Sequence, residues 1–451
     1  MPLSGSSARP NAALLLAAVL VPAAALVADA RADEPAPAPA PAASPVTSPN
    51  ASGATPVADP EGAPPDGLEA AIKNGKIKLN INARLGFADF DNGTDAAFAP
   101  TVRTRLGYET APVDGFVGYL EFENVKAVDD DSYNSTQNGV TDHAVIADVE
   151  VTEVNQAWVA WTAPEKGALA IKAGRQVIAL DDQRFIGHVG WRQDQQTFDA
   201  VRFTTDAGVD NLELTAGYLA QVNRIFGEEA DFDSESFFVN AGYGGQSQKS
   251  GKPKFSAFVY GLDLEAAALS SLTIGARVQG AHALGEGKGS LLYAASVATQ
   301  SDYGDNPNSY DALYYFGDLG YKTADLGTIG AGIEVLGSDD GVPFTTPLAT
   351  LHKFNGFADV FLATPADGLV DVYAYYALPL PKESKATAKI IGHFFQTEDG
   401  NDDLGWELDA VSTYKLTDNV KLLAKFAYFD GEEDGGPFDR TRFTLDLNYS
   451  F

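Results

Sequence analysis

From Lys76 onward, apolar and polar residues alternate with period two in segments of about ten residues, separated by turn residues. In Ile77–Phe90, Ile81, Ala83, Leu85 and Phe87 share one face, and Asn80, Asn82 and Arg84 share the other. In Thr101–Thr110, Val102, Leu106 and Tyr108 oppose Arg103 and Arg105. In Leu272–Gly280, Leu272, Ile274, Ala276 and Val278 oppose Thr273, Arg277 and Gln279. In Leu404–Leu416, Leu404, Trp406, Leu408 and Ala410 oppose Glu407 and Asp409, and in Val420–Tyr428, Leu422, Ala424 and Phe426 oppose Lys421 and Lys425. The last segment is the clearest: Phe443, Leu445, Leu447, Tyr449 and Phe451 on one face, Arg442, Thr444, Asp446, Asn448 and Ser450 on the other. About 18 such segments occur, and an even number suits a closed antiparallel barrel. The pattern predicts an all-β fold, a transmembrane antiparallel β-barrel over residues 76–451. Closure is what permits it, since lipid cannot satisfy the N–H and C=O groups of an open sheet edge. A soluble stack of sandwiches or a solenoid also alternates, and is the competing reading.

Three features favour the barrel. The first is an export signal over residues 1–30: Arg9, an apolar stretch from Ala12 to Val27 broken by Pro22, and small residues at Ala28 and Ala30. The second is a terminal strand ending in Phe451, which resembles the C-terminal signal of bacterial outer-membrane proteins and implies recognition by their assembly machinery. The third is the set of aromatics near strand ends (Phe87, Phe90, Tyr108, Tyr119, Trp158, Trp161, Tyr218, Tyr376, Tyr428, Tyr449), expected to form interfacial girdles. Between signal and barrel, residues 31–65 are Ala/Pro/Ser-rich and read as an extended periplasmic linker. Residues 66–75 read as a short helix capped by Asp66 and stopped by Gly75.

Alternate connections are short: Ala163–Gly167, Thr205–Asn211, Thr323–Gly327, Pro379–Ser384 and Thr417–Asn419. The others are mostly longer: Val125–Val151, Ile178–Thr197, Val222–Glu235, Gln300–Ser309, Gly337–Leu369, Glu398–Asp403 and Asp430–Arg440. Short turns belong on the periplasmic side and long loops outside. Gly242–Lys254 is an exception, a long connection on the short-turn side.

The 451 residues contain no Cys, which excludes a disulfide framework, a thiolate zinc site and a Cys nucleophile. The net charge is −31, from 31 basic and 62 acidic residues, which argues against nucleic acid as a partner. Arg9 and Asp29 cancel, so this charge lies wholly beyond the signal. Its clusters fall in the long loops: Asp129–Asp131, Glu228-Glu229, Asp339-Asp340, Asp402-Asp403 and Glu432–Asp434. Asp129–Asp131 and Asp339-Asp340 among these clusters fit no complete EF-hand spacing, so no metal site is expected, and no cofactor is expected either. They read as solvated surface, as a cation-concentrating rim, or as carboxylates bridged to lipopolysaccharide through divalent ions.

Two loops carry recognisable text. One runs Gly174-Arg175-Gln176, Asp182-Gln183-Arg184-Phe185-Ile186-Gly187, Trp191, then Thr197–Arg202. The other runs Gly337–Gly341, Phe344, Pro347-Leu348, His352-Lys353, Asn355-Gly356 and Asp359. These stretches, with Arg103-Thr104-Arg105 near the start of the barrel, resemble the alginate export family of outer-membrane porins. The resemblance implies an 18-stranded barrel that passes an anionic polysaccharide through an Arg-lined constriction narrowed by infolded loops.

The residues support that chemistry independently. A carboxylate polymer loses hydration in a narrow pore, and guanidinium groups offset the loss with fork-shaped, charge-assisted hydrogen bonds. Rings of Arg or Lys give anion selectivity. Arg84, Arg103, Arg105, Arg202 and Arg277 fall on polar strand faces; Arg184, Arg192, His352 and Lys353 lie in the two loops; Arg175 shares the parity of Leu169 and Ile171, so its direction is open unless a bulge intervenes. These ten are the candidate pathway residues. Each has an alternative role, pairing with a wall carboxylate such as Glu121, Glu123, Glu213, Glu334, Asp371, Glu407 or Asp409. Asp181, Asp182, Asp199, Asp339 and Asp359 are expected to organise the loops. No G-x-S-x-G, H-E-x-x-H or Gly-rich phosphate loop occurs, and the five His are scattered, so no enzyme is expected. A receptor with a plug domain has no room before the first strand. A passive channel for a hydrophilic, anionic solute is the leading reading, a general or sugar-selective uptake porin the second, and a structural or adhesin barrel the third.

Overall fold

The computed structural model describes residues 67–165, 167–245, 253–432 and 436–451. The export signal, the linker and part of the Glu432–Asp434 cluster lie outside the described residues. The chain opens with a helix, α1 (Gly67–Lys73), and continues into eighteen barrel strands. They are β1 (Lys76–Phe90), β2 (Ala97–Glu109), β3 (Phe116–Ala127), β4 (Val151–Thr162), β5 (Ala170–Gln176), β6 (Thr197–Thr205), β7 (Leu212–Asn223), β8 (Phe232–Gly244) and β9 (Lys254–Leu262). There follow β10 (Ser271–Ala283), β11 (Ser290–Asp302), β12 (Asp311–Thr323), β13 (Gly327–Leu336), β14 (Leu369–Ala377), β15 (Ala386–Gln396), β16 (Asp403–Lys415), β17 (Val420–Gly431) and β18 (Arg440–Ser450). Every strand pairs antiparallel with its chain neighbours, and β18 pairs with β1 from Asn80–Ser450 to Phe90–Arg440, which closes the sheet. The expected barrel and strand number are both present. No helix among the described residues is long and apolar enough to cross a membrane; the crossing elements are strands.

Alternation assigns the two faces. Leu85, Leu106, Phe122, Ile274, Leu319, Ile329, Phe394 and Leu447 are all exposed on the outer wall. Such an apolar belt would be unfavourable in water and matches hydrocarbon. Asn82, Arg84, Arg103, Arg105, Glu407, Asp409, Lys425 and Asp446 are buried on the inner wall. The girdle expectation is corrected at three aromatics. Phe90 is buried beneath Arg440 and Arg442, Tyr119 donates to Glu121, and Trp158 packs on Tyr119. All three face inward, because an aromatic near a strand end fits a lumenal neighbour as well as a membrane interface.

Gly245 and Pro253, the described ends of the long exception, lie on the same rim as the short turns, with Gly245 N–H donating to Pro253 O; residues 246–252 lie outside the described residues. Helix α1 sits on that rim: Ala111 N–H donates to Ala71 O at 3.0 Å and the Tyr108 hydroxyl to Ile72 O. It falls within the expected 66–75 segment, whose cap Asp66 lies outside the described residues.

The inner wall is not wholly polar. Phe198, Leu219, Phe238, Phe258, Tyr314, Phe395 and Phe429 are buried there against side chains of the 177–196 and 337–368 loops, among them Ile178, Ile186, Trp191, Phe344, Leu348 and Phe361. Phe185 alone meets Phe258, Tyr314 and Phe344 at ring distances of 4.9, 5.3 and 6.1 Å. The barrel therefore holds a second, internal hydrophobic core that ties two loops inside it.

Candidate constriction

The two infolded loops join before they meet the wall. Ile186 and Leu348 form a parallel bridge, Gly187 N–H donates to Leu348 O at 2.8 Å, and Thr350 N–H donates to Gln183 O at 3.0 Å. The chain accepts left-handed backbone at Asp181, Gln183, Val189, Asn355 and Asp359 to do so. Val189, at φ 51°, is costly for a β-branched residue. Its N–H is held by the Thr350 hydroxyl at 3.1 Å.

The joined loops dock first on β1, β2 and β18. Arg84 forks onto Asp446 at 2.7 and 3.1 Å, reaches Asp148 at 3.1 Å and donates to Trp191 O at 2.9 Å. Arg103 donates to Gln193 O at 3.1 Å and to Asn80 at 2.6 Å. Arg105 pairs with Glu123 and reaches the same Gln193 carbonyl at 3.4 Å. Three guanidinium groups thus converge on the Trp191–Gln193 tip. Asp148 comes from a third loop, 128–150, and accepts Gln193 N–H at 3.1 Å.

A second seam gathers on Asp359. Its carboxylate accepts from Arg192 and from His352 Nδ1, both at 2.6 Å, with Arg442 at 3.4 Å. Lys425 Nζ lies 2.5 Å from His352 Nε2. Burial holds the His352 imidazole down at about 3, against the pull of Asp359. The ring is therefore neutral, donating through Nδ1 and accepting from the Lys425 ammonium through Nε2. Burial would raise the Asp359 carboxyl, but Arg192, His352 and Arg442 outweigh it and keep it well below the usual range. Between the two seams is a cavity of about 20 Å³, the space of about one water, lined by Arg84, Asp148, Trp191, His352, Lys425 and Arg442 among others.

On the far wall, Arg184 pairs with Glu334 at 2.7 Å and donates to Thr346 and Asn355. Lys353 donates to Asp182 O at 2.6 Å, and Arg277 pairs with Asp182 at 2.8 Å. Asp181 accepts from Asn240 and Ser256. Asp339 accepts Asp311 N–H at 2.8 Å from a small hairpin of Ser338–Asp339 and Val342–Pro343. The buried wall carboxylates Glu407 and Asp409 take the N–H groups of Ala358 and Phe357 at 2.7 and 3.1 Å.

Most of the ten candidate pathway residues are thus placed in contacts that fasten the loops. Arg84, Arg103, Arg105, Arg184, Arg192, Arg277, His352 and Lys353 all bond to a loop or reach from a loop to a partner. Arg175 forks onto Asp199 at 2.8 and 3.1 Å, where Gly174 at φ +115° and a register shift at Asp199/Ala200 interrupt the alternation. Arg202 stands apart, on the inner wall towards the short-turn rim. Sequence reasoning missed Arg442, Lys425, Asp148 and Asp446 at the docking seams. Their polar-face parity in β17 and β18 was the available signal for all but Asp148, a loop residue with no such periodicity.

Residues 120–324 match the family model described as alginate export. That stretch includes the first of the two signature loops; the second lies beyond it. No curated protein matches the chain in sequence. Among solved structures, OccK9 (OpdG) of Pseudomonas aeruginosa superposes with a TM-score of 0.64 at 14% identity, covering 84% of this chain and 100% of that one. OccAB4 of Acinetobacter baumannii superposes at 0.65 with 12% identity, covering 84% and 98%, and OccAB3 of the same organism at 0.65 with 12%, covering 84% and 100%. The family match, the closed 18-stranded barrel and the apolar belt place the chain in the bacterial outer membrane, as a porin-type channel.

Proposed function

We propose that this porin-type barrel, similar to the alginate export family over residues 120–324, passes anionic, carboxylate-bearing solutes by passive diffusion. An alginate-like polysaccharide is the family version. The observation that carries the reading is the convergence of basic groups at the docking seams. Arg84, Arg103, Arg105, Arg192, Arg442 and Lys425 gather there among Asp148, Asp446, Asp359 and Glu123, with Glu121 and Asp194 beside Arg103 and Arg105. A solute passing along the seam meets fixed positive charge in a low-dielectric setting, where it acts more strongly than in water.

Uptake of small solutes is the second reading, and the filled lumen favours it. Loops pinned by buried ion pairs leave less room for a polymer than for a monomer. Reversal potentials in a KCl gradient across planar bilayers test the shared claim. Anion preference that weakens in Arg103→Gln supports it; a cation preference that persists after the acidic outer loops are neutralised overturns it. Within the anion reading, passage of an oligouronate supports the polymer version, and exclusion of it with passage of a monomeric sugar acid supports the second.

A further inference from the structure

Just periplasmic of the level where Gln193 docks on Arg103 and Arg105, the inner wall carries an aromatic pair flanked by cations. Tyr119 on β3 and Trp158 on β4 are register partners with ring centroids 5.4 Å apart. Lys172 on β5 holds its Nζ 3.7 Å from the centroid of a Trp158 ring. Arg202 on β6 is the register partner of Lys172.

This arrangement is unfavourable as it stands. Like charges directly opposite on neighbouring strands destabilise a sheet. Unlike the arginines at the docking seams, Arg202 has no hydrogen bond or ion pair within 4.0 Å among the described residues, and Glu213 is the acidic group near it. Lys172 lies over the indole face; Arg202 is the strongest basic influence on it, with Lys78 adding to the repulsion and Glu109 opposing it. Both side chains are half-buried rather than free in water. An anion between them would turn the repulsion into two charge-assisted hydrogen bonds. The flat apolar face beside them suits the C–H face of a sugar ring, which an aromatic ring covers without needing a hydrogen bond.

We propose that Trp158, Lys172 and Arg202 form a subsite for a uronate ring on the periplasmic side of the constriction. The carboxylate bridges Lys172 Nζ and the Arg202 guanidinium, and the pyranose lies against Trp158. This rests on the anion-channel reading and adds a place and an orientation to it: a solute arriving from the periplasm meets this row before it meets the docked loops.

The test is current block in planar bilayers containing the full chain, with galacturonate trisaccharide added on the short-turn side. Galacturonic acid and maltotriose, a neutral trisaccharide, serve as comparison arms. The wild type is blocked by the uronates and not by maltotriose. A tighter block by the trisaccharide indicates a polymer as the natural occupant, and equal block per ring a monomeric sugar acid; both support the subsite. Lys172→Gln and Arg202→Gln each raise the half-blocking concentration about tenfold or more, the loss expected for one hydrogen bond to a charged group. Trp158→Leu raises it for the uronates while leaving the chloride-to-potassium permeability ratio unchanged, which a purely electrostatic wall would not do. Lys172→Arg retains block. Because Lys172→Gln and Arg202→Gln each remove a like-charge repulsion, their barrels melt at the wild-type temperature or above, and the trisaccharide raises the melting temperature of the wild type alone. Half-blocking concentrations within twofold of wild type in all three variants, in a channel still anion-selective and still blocked, overturn the subsite and leave the channel reading standing. A wild type that prefers cations and is not blocked overturns both.

Discussion

Gly356 rests on the Glu407 carboxylate so closely that a Cβ at this position would lie 2.3 Å from Oε2. Its φ of +86° is also one that side chains rarely adopt. The two constraints coincide where the 337–368 loop lays its backbone on the wall and gives Ala358 N–H to Glu407. Gly356→Ala is therefore expected to lift this loop, at a cost of about 1–3 kcal/mol for the strained backbone alone. The barrel ladder does not depend on it. The expected outcome is a folded barrel, shown by unchanged β-sheet circular dichroism, with larger and noisier single-channel conductance. Wild-type conductance in the variant would show that the loop tolerates a side chain there.

Asp359 fastens the same loop from the other end by accepting from Arg192, His352 and Arg442. Removing one partner of a buried ion pair leaves the other charge uncompensated, at about 3–5 kcal/mol. Asp359→Asn and Arg192→Met are each expected to release the Trp191–Gln193 tip together with residues 352–359. In limited proteolysis of the folded protein in detergent, both loops should then be cut faster than in the wild type while the barrel fragment persists. The double variant should be no worse than the poorer single one, because both lose the same interaction. Cleavage at the wild-type rate in both single variants sinks the idea that this pair holds the loop.

Which side chains face inward was legible wherever a strand keeps strict alternation, as in β1, β2 and β18, because a barrel wall leaves only lipid and lumen to choose between. Arg175 was not legible: the positive φ of Gly174 and the register shift beside it break the period from which direction is inferred. Nor were the partners of the lumenal charges. Arg184 meets Glu334 across 150 positions of chain, and Arg84 meets Asp446 across 362. The internal apolar core escaped for the same reason. Phe258 and Phe395 look misplaced on a polar-facing wall until Phe185 and Phe361, from distant loops, cover them.

The docked loops carry a proton-sensitive group at Asp194. Burial raises its carboxyl to about 7, although Gln195 N–H, Arg105 and Arg103 favour the anion; Asp231 from the 224–231 loop opposes them. Glu153 on β4 faces the same space. Asp194 Oδ1 accepts Gln195 N–H at 2.6 Å, and Oδ2 has no partner among the described residues. A carboxyl raised above its ordinary 3.8 stabilises the docked state most when protonated, and that contribution is lost as pH rises through about 7. His352 acts in the opposite sense: its contribution is present above its ordinary 6.5 and lost as pH falls below it. Between pH 6.5 and 9 the Asp194 effect is therefore exposed and that of His352 is not. Gating noise is expected to grow over that range in the wild type and to stay flat in Asp194→Asn. Equal pH dependence in the two proteins would remove Asp194 from the account.

Phe451 closes the barrel's last register pair, accepting from Leu79 N–H at 3.1 Å and donating to Leu79 O at 2.9 Å. Its ring is 70% exposed, on the same outward face as Leu447. Deleting it removes only the last pair of a seam that also runs from Asn80–Ser450 to Phe90–Arg440, so the folded barrel should lose little. A terminal aromatic that serves recognition by the assembly machinery should matter far more in the cell. Removal of Phe451 is expected to lower the amount reaching the outer membrane several-fold, while refolding of the purified chain into detergent micelles proceeds with the wild-type yield. Equal losses in both settings would assign the residue to barrel stability instead, and no loss in either would leave the terminal aromatic without a role in assembly.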